Sequence, residues 1–465
     1  MGLKPFASLP GLVLSFALAF STMPASYAPA ETASLKMQHL PFQSSSVYRQ
    51  DDPDFLYRMV YSQYFRYQAG QIQVKEIAEF GETVKKEPAA YLSKYPFRGV
   101  VKFGSQRFGF VFDSRDVASN GYDKLYFDLN GNGDLTDDKA LEAAPPPSNV
   151  NYGQNSARRE YPRILLTIDG DGEKIEYGFF FSIYSRYNEQ NQQSPVYGSA
   201  SLRSASYRTG EIPIDGKKHR IVILDFNSNG RFNDEFSVNL GQKDSNNPLY
   251  PSSGDMVLVD PDTRNRSVWG SGALGRSERQ NLSKLLNIDG RFFNIEVSPT
   301  GDTVTLTPSP LATGSVNNPN SQYDAIVYGD HGLLKISGVL RQPVALPVGN
   351  WKLLQYRITE ATAKKPTYVS ASATQDYPTV QVEKGKNAIL PFGPPYKPLV
   401  RTSLAWFNSS GATVQRLFRL SLALTGSQGE ICTDLRVAGK RPEKPTFVIA
   451  TNKGKIIERG SFEYG

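Results

Sequence analysis

Short runs of apolar and aromatic residues, separated by Asp-Gly and other glycine-containing turns, most restrict what this chain can fold into. Arg163–Ile168 and Lys174–Phe181 flank the turn 169–172, and the same plan recurs around Asp215-Gly216. Asp-Gly pairs accept the positive φ angles that tight hairpin turns require. Repeated short strands with such turns are typical of sandwiches and barrels. We therefore predict a mainly β protein of hairpin-rich sheets or sandwiches.

A chain of 465 residues is too long for one compact core, so several domains are expected. Helical spacing of aromatic residues over 54–73 predicts a short N-terminal helix, with a further helical turn over 87–95. The last region has about as many predicted strands as an immunoglobulin-like or transthyretin-like sandwich. The expected organisation is a signal peptide over 1–30, a spacer and short helical region over 31–95, a β region over 96–308, a linker over 309–322 and a C-terminal β-sandwich domain over 323–465.

The first thirty residues have the layout of a secretory signal peptide. Lys4 precedes the apolar run Leu9–Phe20, which is followed by small residues up to Ala30. This run is much shorter than the roughly 20 apolar residues that a membrane-spanning helix needs. We expect cleavage near Ala28 or Ala30, a secreted or periplasmic protein, and no membrane span once the signal is removed.

Cysteine content and charge exclude other classes. Cys432 is the only cysteine, so packing, turns or bound metal must stabilise the loops in place of disulfides. Its apolar neighbours indicate a buried structural thiol. The net charge of +7 is spread along the chain without a Lys or Arg block, which argues against nucleic-acid binding. A mildly basic surface is compatible with acidic polysaccharide or anionic lipid headgroups, or simply with solubility.

Two segments, Asp128–Asp138 (DLNGNGDLTDD) and Asp225–Glu235 (DFNSNGRFNDE), match position for position. Each has oxygen-bearing side chains at positions 1, 3 and 5, glycine at position 6, a polar residue at 9 and acids at 10 and 11. Calcium takes six to eight oxygen ligands, and alternate residues of a tight loop can all turn inward. The predicted calcium ligands are Asp128, Asn130, Asn132, Asp134, Asp137 and Asp138 in the first loop and Asp225, Asn227, Asn229, Arg231, Asp234 and Glu235 in the second, with Arg231 contributing its backbone carbonyl.

Both loops depart from the EF-hand pattern. Position 12, where a bidentate Glu is expected, holds Lys139 and Phe236, so an acid at position 10 or 11 would have to close each site. Strands rather than helices precede both loops, which argues against calmodulin-like opening. The first loop, with four acids, is expected to bind more tightly. The alternative is that these are Asx turns that bond their own backbone without metal.

Four further segments stand out beside the two loops: YPFRG at 95–99, IDGRFF at 288–293, PFGPPYKP at 391–398 and GSFEYG at 460–465. In these segments and the loops, and so over most of its length, the chain resembles a group of uncharacterised secreted bacterial proteins with EF-hand-like, DxNxNG-type calcium loops. The resemblance implies no activity, because no function is established for that group.

Signals of catalysis are weak. Histidine occurs at positions 39, 219 and 331, and none accompanies a nucleophile elbow, an HExxH pair or a cysteine motif. His331 is expected to be a turn residue rather than a ligand. A carboxylate pair for glycoside hydrolysis stays open, because acids that meet in space need not be close in sequence. Trp269, Trp351 and Trp406 could stack on sugars, although core packing explains most aromatic residues.

These observations favour an exported, non-catalytic, calcium-binding β protein of the cell envelope or extracellular space, structural or ligand-binding in role. The alternative is an exported carbohydrate-active enzyme of the glycoside hydrolase type that uses a carboxylate pair. An envelope polysaccharide and another envelope protein are the partner classes left open.

Overall fold

The computed structural model describes residues 29–41, 54–69, 74–115, 121–145, 155–188, 191–241, 247–263, 274, 278–320, 322–360, 365, 367–408 and 414–463. Nearly all regular structure in these residues is β, and the sheets are overwhelmingly antiparallel. The prediction of a mainly β protein is confirmed. Residues 1–28 of the predicted signal peptide lie outside the described residues, as does Trp269. No helix within the described residues has the length and hydropathy needed to cross a bilayer.

The first part of the chain contains a 3-10 helix (Phe55–Arg58), one α-helix, α1 (Val74–Thr83), and most of the strands. The strands are β1 (Glu31–Ser34), β2 (Lys36–His39), β3 (Gln63–Gln68), β4 (Phe97–Phe103), β5 (Gln106–Asp113), β6 (Lys124–Phe127), β7 (Leu141–Glu142), β8 (Ser156–Glu160), β9 (Ile164–Gly170), β10 (Glu173–Asn188), β11 (Asn191–Ser204), β12 (Ser206–Ile214), β13 (Lys217–Leu224), β14 (Met256–Val259), β15 (Arg279–Asn281), β16 (Leu285–Ile288), β17 (Arg291–Val297) and β18 (Thr303–Pro308).

Four sheets of this part enclose one apolar core. Their strand orders are β4-β5-β6-β7, β3-β11-β10-β8 with β9 on β10, β2-β12-β13-β14-β15 and β1-β18-β17-β16. Phenylalanines dominate the centre, where the rings of Phe110 and Phe181 are 5.0 Å apart and those of Phe103 and Phe179 are 5.2 Å apart. Large aromatic side chains bury much apolar surface per residue, which suits the space between facing sheets.

The predicted N-terminal helix over 54–73 differs from the structure. Within the described residues 54–69 a 3-10 turn forms at Phe55–Arg58 and β3 follows it, and no helix covers 87–95. The helix α1 begins at Val74, inside the predicted short helical region 31–95. In β3 the side chains alternate between exposed and partly buried, so that Phe65 and Tyr67 pack on the core while Tyr64 faces outward. Pairing with β11 fixes this period of two. The helix prediction was wrong over 63–68, where β3 forms, because a dense run of aromatic residues fits both periods.

The second part of the chain is entirely β in the described residues. The strands are β19 (Thr313–Asn317), β20 (Tyr323–Gly329), β21 (Gly332–Gly338), β22 (Val344–Pro347), β23 (Gly349–Thr359), β24 (Tyr368–Ser372), β25 (Val380–Val382), β26 (Asn387–Ile389), β27 (Lys397–Asn408), β28 (Val414–Thr425), β29 (Ile431–Arg436), β30 (Thr446–Ala450) and β31 (Ile456–Ser461). An extended sheet runs β21-β20-β23-β24-β29-β28-β27 with β25 on β23, and a smaller sheet runs β22-β19-β26.

These two sheets share a core around Trp351, Leu353 and Tyr356. Strand β19 belongs to the smaller sheet, where it pairs antiparallel with β22 and parallel with β26. The segment 309–322, expected as a linker, is therefore partly a strand of the C-terminal region.

The two parts of the chain meet through a further apolar cluster. Strands of the β2-β12-β13-β14-β15 sheet face the larger C-terminal sheet there, and both contribute fully buried aliphatic side chains. The cluster includes Val222, Leu224, Met256, Leu258, Ile326, Leu333 and Leu354. Nearby, the Lys335 ammonium is buried and donates a hydrogen bond to the Arg279 carbonyl at 3.3 Å.

Burial lowers the pKa of Lys335 from 10.5 to about 8, because the charged ammonium has lost its water. Because the pKa is lowered in the folded state, the free-energy cost of burying the charged ammonium is fully present below pH 8 and disappears as the pH rises towards 10.5. At about 1.4 kcal/mol per unit it amounts to roughly 3 kcal/mol. Lys335→Met is expected to stabilise the protein by about 2 kcal/mol at pH 7, once the lost hydrogen bond is subtracted.

Urea unfolding of Lys335→Met and wild type at pH 7 and pH 10.5 measures this effect. The stability gain should shrink at the higher pH, and the exposed control Lys386→Met should show no such trend. A gain that does not depend on pH would contradict a charged Lys335.

Candidate metal-binding loops

Each of the two loops connects neighbouring antiparallel strands. The first loop, residues 128–138, joins β6 to β7, and the second loop, residues 225–235, leaves β13 on the way to β14. The prediction that strands precede both loops is confirmed. The loops thus occupy the same place in two similar parts of the fold.

In the first loop, position 1 organises the backbone. Asp128 is buried, and its two carboxylate oxygens accept the N–H groups of Asn132 at 3.1 Å and Gly133 at 3.0 Å. Burial raises the pKa of Asp128, while these backbone donors oppose the rise. Gly133 has φ +82°, and a Cβ there would lie 2.7 Å from the Thr83 carbonyl. Only glycine fits this bend.

The side chains at positions 3, 5 and 10 of the first loop bond to one another. Asn130 and Asn132 both donate to the same Asp137 oxygen, at 3.3 and 2.7 Å. Position 11 has another role, since Asp138 accepts the Leu129 N–H at 2.8 Å. Position 10 therefore accepts hydrogen bonds from both amide side chains, and position 11 connects the end of the loop to its start by a hydrogen bond.

Asp134, at position 7, uses its side chain elsewhere. One oxygen pairs with the Lys86 ammonium at 2.8 Å, and the other accepts from Thr136. Bonds from Lys86 and then Thr136 lower the pKa of Asp134 to about 2. Of this residue, the backbone carbonyl is the group available to a cation.

The second loop repeats the bonds that positions 1, 3, 5 and 10 make in the first loop. Asp225 accepts the N–H groups of Asn229 at 3.0 Å and Gly230 at 2.8 Å. Asn227 and Asn229 donate to the same Asp234 oxygen, at 2.8 and 2.5 Å. The duplication seen in the sequence is therefore a duplication of local structure.

Arg231 at position 7 turns its guanidinium out of the second loop. Its two terminal nitrogens bond the Asp171 carboxylate at 3.0 and 2.7 Å, a bidentate pair with the turn between β9 and β10. Hydrogen bonding to Asp171 raises the pKa of Arg231 and lowers that of its partner. As in Asp134, the side chain is bonded outside the loop. The backbone carbonyl of Arg231 is therefore the group of this residue available to a cation.

Asp255 bonds to the second loop from outside its range, and the sequence pattern did not identify it. It lies just before β14, is fully buried, and accepts the N–H groups of Phe226 at 3.0 Å and Asp234 at 2.8 Å. Glu235, predicted at position 11, is exposed instead. The bond to the residue after position 1, which Asp138 makes in the first loop, is made here by Asp255.

The strand register explains why Asp255, and not Glu235, makes the bond that Asp138 makes in the first loop. Extending the ladder Leu125↔Leu141 places Asp138 across from Asp128, and extending Leu224↔Met256 places Asp255 across from Asp225. Ten residues separate the first pair along the chain and thirty separate the second. The second loop therefore carries an insertion before its return strand, and the inserted residues move the cross-strand acid out of the local motif.

Asp225 and Asp255 form a buried acidic pair. Burial, followed for Asp255 by the negative charge of Asp225, raises both pKa values, that of Asp225 to about 7. Tyr177 donates its hydroxyl to Asp225 at 2.5 Å. Among the described residues, no Lys or Arg forms an ion pair with either carboxylate. Two adjacent buried carboxylates need a proton or a cation to neutralise them.

The described residues contain no group of three or more His, Cys, Asp or Glu side chains that could by themselves hold a metal. A calcium site here would have to combine two carboxylates with neutral oxygens. The loops offer such oxygens from the Asn side chains at positions 3 and 5 and the backbone carbonyl at position 7. In the structure the Asn side chains at positions 3 and 5 are hydrogen-bonded to the acid at position 10. Asx turns without metal would therefore also satisfy these side chains.

Other candidate residues do not assemble into a site. The three histidines lie apart: His39 bonds Ser206, His219 bonds Asp260 and His331 bonds the Val348 carbonyl. Cys432 is half-buried, and burial raises the pKa of its thiol to about 11, so little thiolate forms at neutral pH.

Two cavities have volumes in the range of small-molecule sites. One, of about 570 Å³, is lined by three tyrosines together with Gln68, Ala69, Arg186 and Val196, and the other, of about 560 Å³, is an apolar groove beside β30. No described residue lining either cavity is an Asp or Glu. Trp351 is fully buried and donates its Nε1–H to the Pro347 carbonyl at 2.8 Å, so it faces neither solvent nor sugar.

Neither a family model, nor a curated protein, nor a solved structure matches the chain. The resemblance to secreted bacterial proteins stays a prediction. What the loops do must be argued from their own chemistry.

Proposed function

We propose that the chain is an exported, non-catalytic β protein of the cell envelope or extracellular space whose two loops bind calcium. In this proposal calcium has a structural role: it locks each loop across two neighbouring strands. The signal-like N terminus supports export, and the absence of a disulfide framework gives a reason for metal to stabilise the loops.

The observation that carries the proposal is the buried pair Asp225 and Asp255. Burying two carboxylates side by side is costly unless a counterion is present. A bound cation would neutralise the pair, and Asp234 adds a third negative charge close by. The first loop has the equivalent cross-strand acids, Asp128 and Asp138, although Asp138 is more exposed. The second loop is therefore at least as suited to calcium as the first, despite having fewer acids within its motif.

The lack of switching machinery supports a structural role. Each loop directly follows a strand, the first returns to its sheet through β7, and the second is bonded to the residue before β14 through Asp255. Among the described residues, no pair of helices flanks either loop. We also propose that the two C-terminal sheets form an immunoglobulin-like or transthyretin-like sandwich, since they share one core. A carbohydrate-active enzyme has less support, because the cavities lack a carboxylate pair among their described lining residues.

Calcium is expected to raise the melting temperature of the chain lacking its predicted signal peptide. A site at a hundredfold excess over its Kd adds about 2.7 kcal/mol to the free energy of unfolding, because the unfolded chain has no preformed oxygen cage. Thermal melting in calcium and in chelator measures the shift, and calorimetric titration counts the sites. The overall shape, measured by small-angle scattering, should not change.

Asp128→Asn and Asp225→Asn are the informative variants, since each removes one inward charge while keeping the shape of the side chain. Each should abolish the calcium-dependent gain at its own loop. Asp289→Asn removes an exposed acid far from both loops and should leave the gain intact. Identical melting curves of wild type in calcium and in chelator would reject the proposal and leave both loops as Asx turns.

A further inference from the structure

The C-terminal hairpin formed by β30 and β31 has both of its faces exposed. All but two of its strand residues are solvent-exposed, although the strands contain several aliphatic side chains. Ile457 is 63% exposed, Val448 53% and Ile456 45%. A two-stranded hairpin of this kind is marginally stable alone in water, and clustered exposed aliphatic residues indicate a binding surface.

The hairpin is fixed at its base and exposed at its tip. At the base, the Phe447 ring lies over Gly460 and packs 5.0 Å from the Phe462 ring, and Lys444 pairs with Glu463 at 2.6 Å. The apolar groove of about 560 Å³ runs along β30 and is lined on its other side by residues of β27 and β28. At the tip, the register shift after Ile449 leaves Ile457 without a cross-strand partner. The most exposed aliphatic residue of the hairpin, Ile457, is thus beside the turn.

Positive charge is concentrated in the same region. Residues 397–463 contain eleven Lys and Arg and five Asp and Glu, a net charge of +6, whereas the whole chain has +7. Lys453 and Lys455 occupy the turn of the hairpin and are exposed. Within the described part of the chain, neither forms an ion pair. The tip therefore presents aliphatic side chains and uncompensated cations together.

We propose that this hairpin docks onto a membrane surface rich in anionic lipid. Ile456 and Ile457 would enter the boundary between headgroups and acyl chains, and Lys453 and Lys455 would meet the lipid phosphates. An acidic polysaccharide would satisfy the lysines but leave the isoleucines in water. A second copy of the chain would bring two positive surfaces together. Only an anionic membrane complements both the charge and the apolar side chains of the tip.

Vesicle sedimentation of the chain lacking its predicted signal peptide tests the proposal. Wild type should bind vesicles of equal parts phosphatidylglycerol and phosphatidylcholine, bind pure phosphatidylcholine far less, and be released by high salt, which screens surface charge. Lys453→Glu/Lys455→Glu should weaken partition by about thirtyfold or more, since each lysine near an anionic surface contributes roughly fivefold. Ile456→Ser/Ile457→Ser should weaken binding to anionic vesicles at low salt as well.

The matched control is Lys217→Glu/Lys218→Glu, which makes the same charge change on the exposed hairpin between β12 and β13. It should bind nearly as wild type does. Equal loss in this control, or no preference of wild type for anionic vesicles, would overturn the proposal. So would a wild-type dimer that the tip variants dissociate, or binding to polygalacturonate in place of vesicles. Unchanged thermal melting of the tip variants shows that the fold is intact.

Discussion

Asp255→Ala is expected to lower the free energy of unfolding by about 3 kcal/mol, whereas Glu235→Ala should change it by less than about 0.5 kcal/mol. The Asp255 carboxylate is fully buried and accepts two backbone N–H groups, from Phe226 and Asp234. Removing it leaves both donors without a partner, at about 1–3 kcal/mol each, partly offset by relief of the repulsion from Asp225. Glu235 is exposed. Urea unfolding in chelator measures both costs.

Asp138→Ala provides an intermediate control for this prediction. Its carboxylate accepts the Leu129 N–H, but it is much less buried than the Asp255 carboxylate, so its donors can bond water when it is removed. The expected order of cost is therefore Asp255, then Asp138, then Glu235. If Glu235→Ala proved as costly as Asp255→Ala, position 11 of the sequence motif would be the closing position after all, and the cross-strand equivalence would be wrong.

The two loops show which features of a site can be predicted from residues close together in the sequence. The spacing of Asp225, Asn227 and Asn229 predicted inward side chains and a bend at Gly230, because those features depend on residues a few positions apart. Asp255 lies thirty residues after Asp225, and only the pairing of β13 with β14 brings the two together. A possible signal was an acid directly before a short aliphatic strand, at Asp255-Met256, but nothing in the local sequence specifies which strand that segment will pair with.

The order of strands in the sheets is likewise predictable only for strands that follow one another in the sequence. Turns such as Asp215-Gly216 identify hairpins between consecutive strands, and β12 and β13 do pair. By contrast, β1 pairs with β18 and β2 with β12, across most of the first part of the chain. Such pairings depend on which apolar faces fill one core. The alternation of residues predicts that a strand exists, but not its neighbour.

Trp351 shows why exposure cannot be derived from residue type. Stacking on a sugar and filling a core both require a large aromatic ring, and the surrounding run Gly349–Thr359 reads as a strand in either case. Packing decides between them. The ring is enclosed by the two C-terminal sheets, its Nε1–H is satisfied by Pro347, and the centre of the His331 ring lies 6.1 Å from the centre of the Trp351 ring.

Trp351→Ala is accordingly expected to lower the free energy of unfolding by about 4 kcal/mol, because it empties the centre of a core that cannot fully collapse. Trp351→Phe keeps most of the ring but leaves the Pro347 carbonyl without its donor, so it should cost about half as much. Urea unfolding measures both, and titration with envelope glycans should show no binding that depends on this side chain. A stable Trp351→Ala protein that had lost glycan binding would place this residue on a ligand surface and revive the carbohydrate-active alternative.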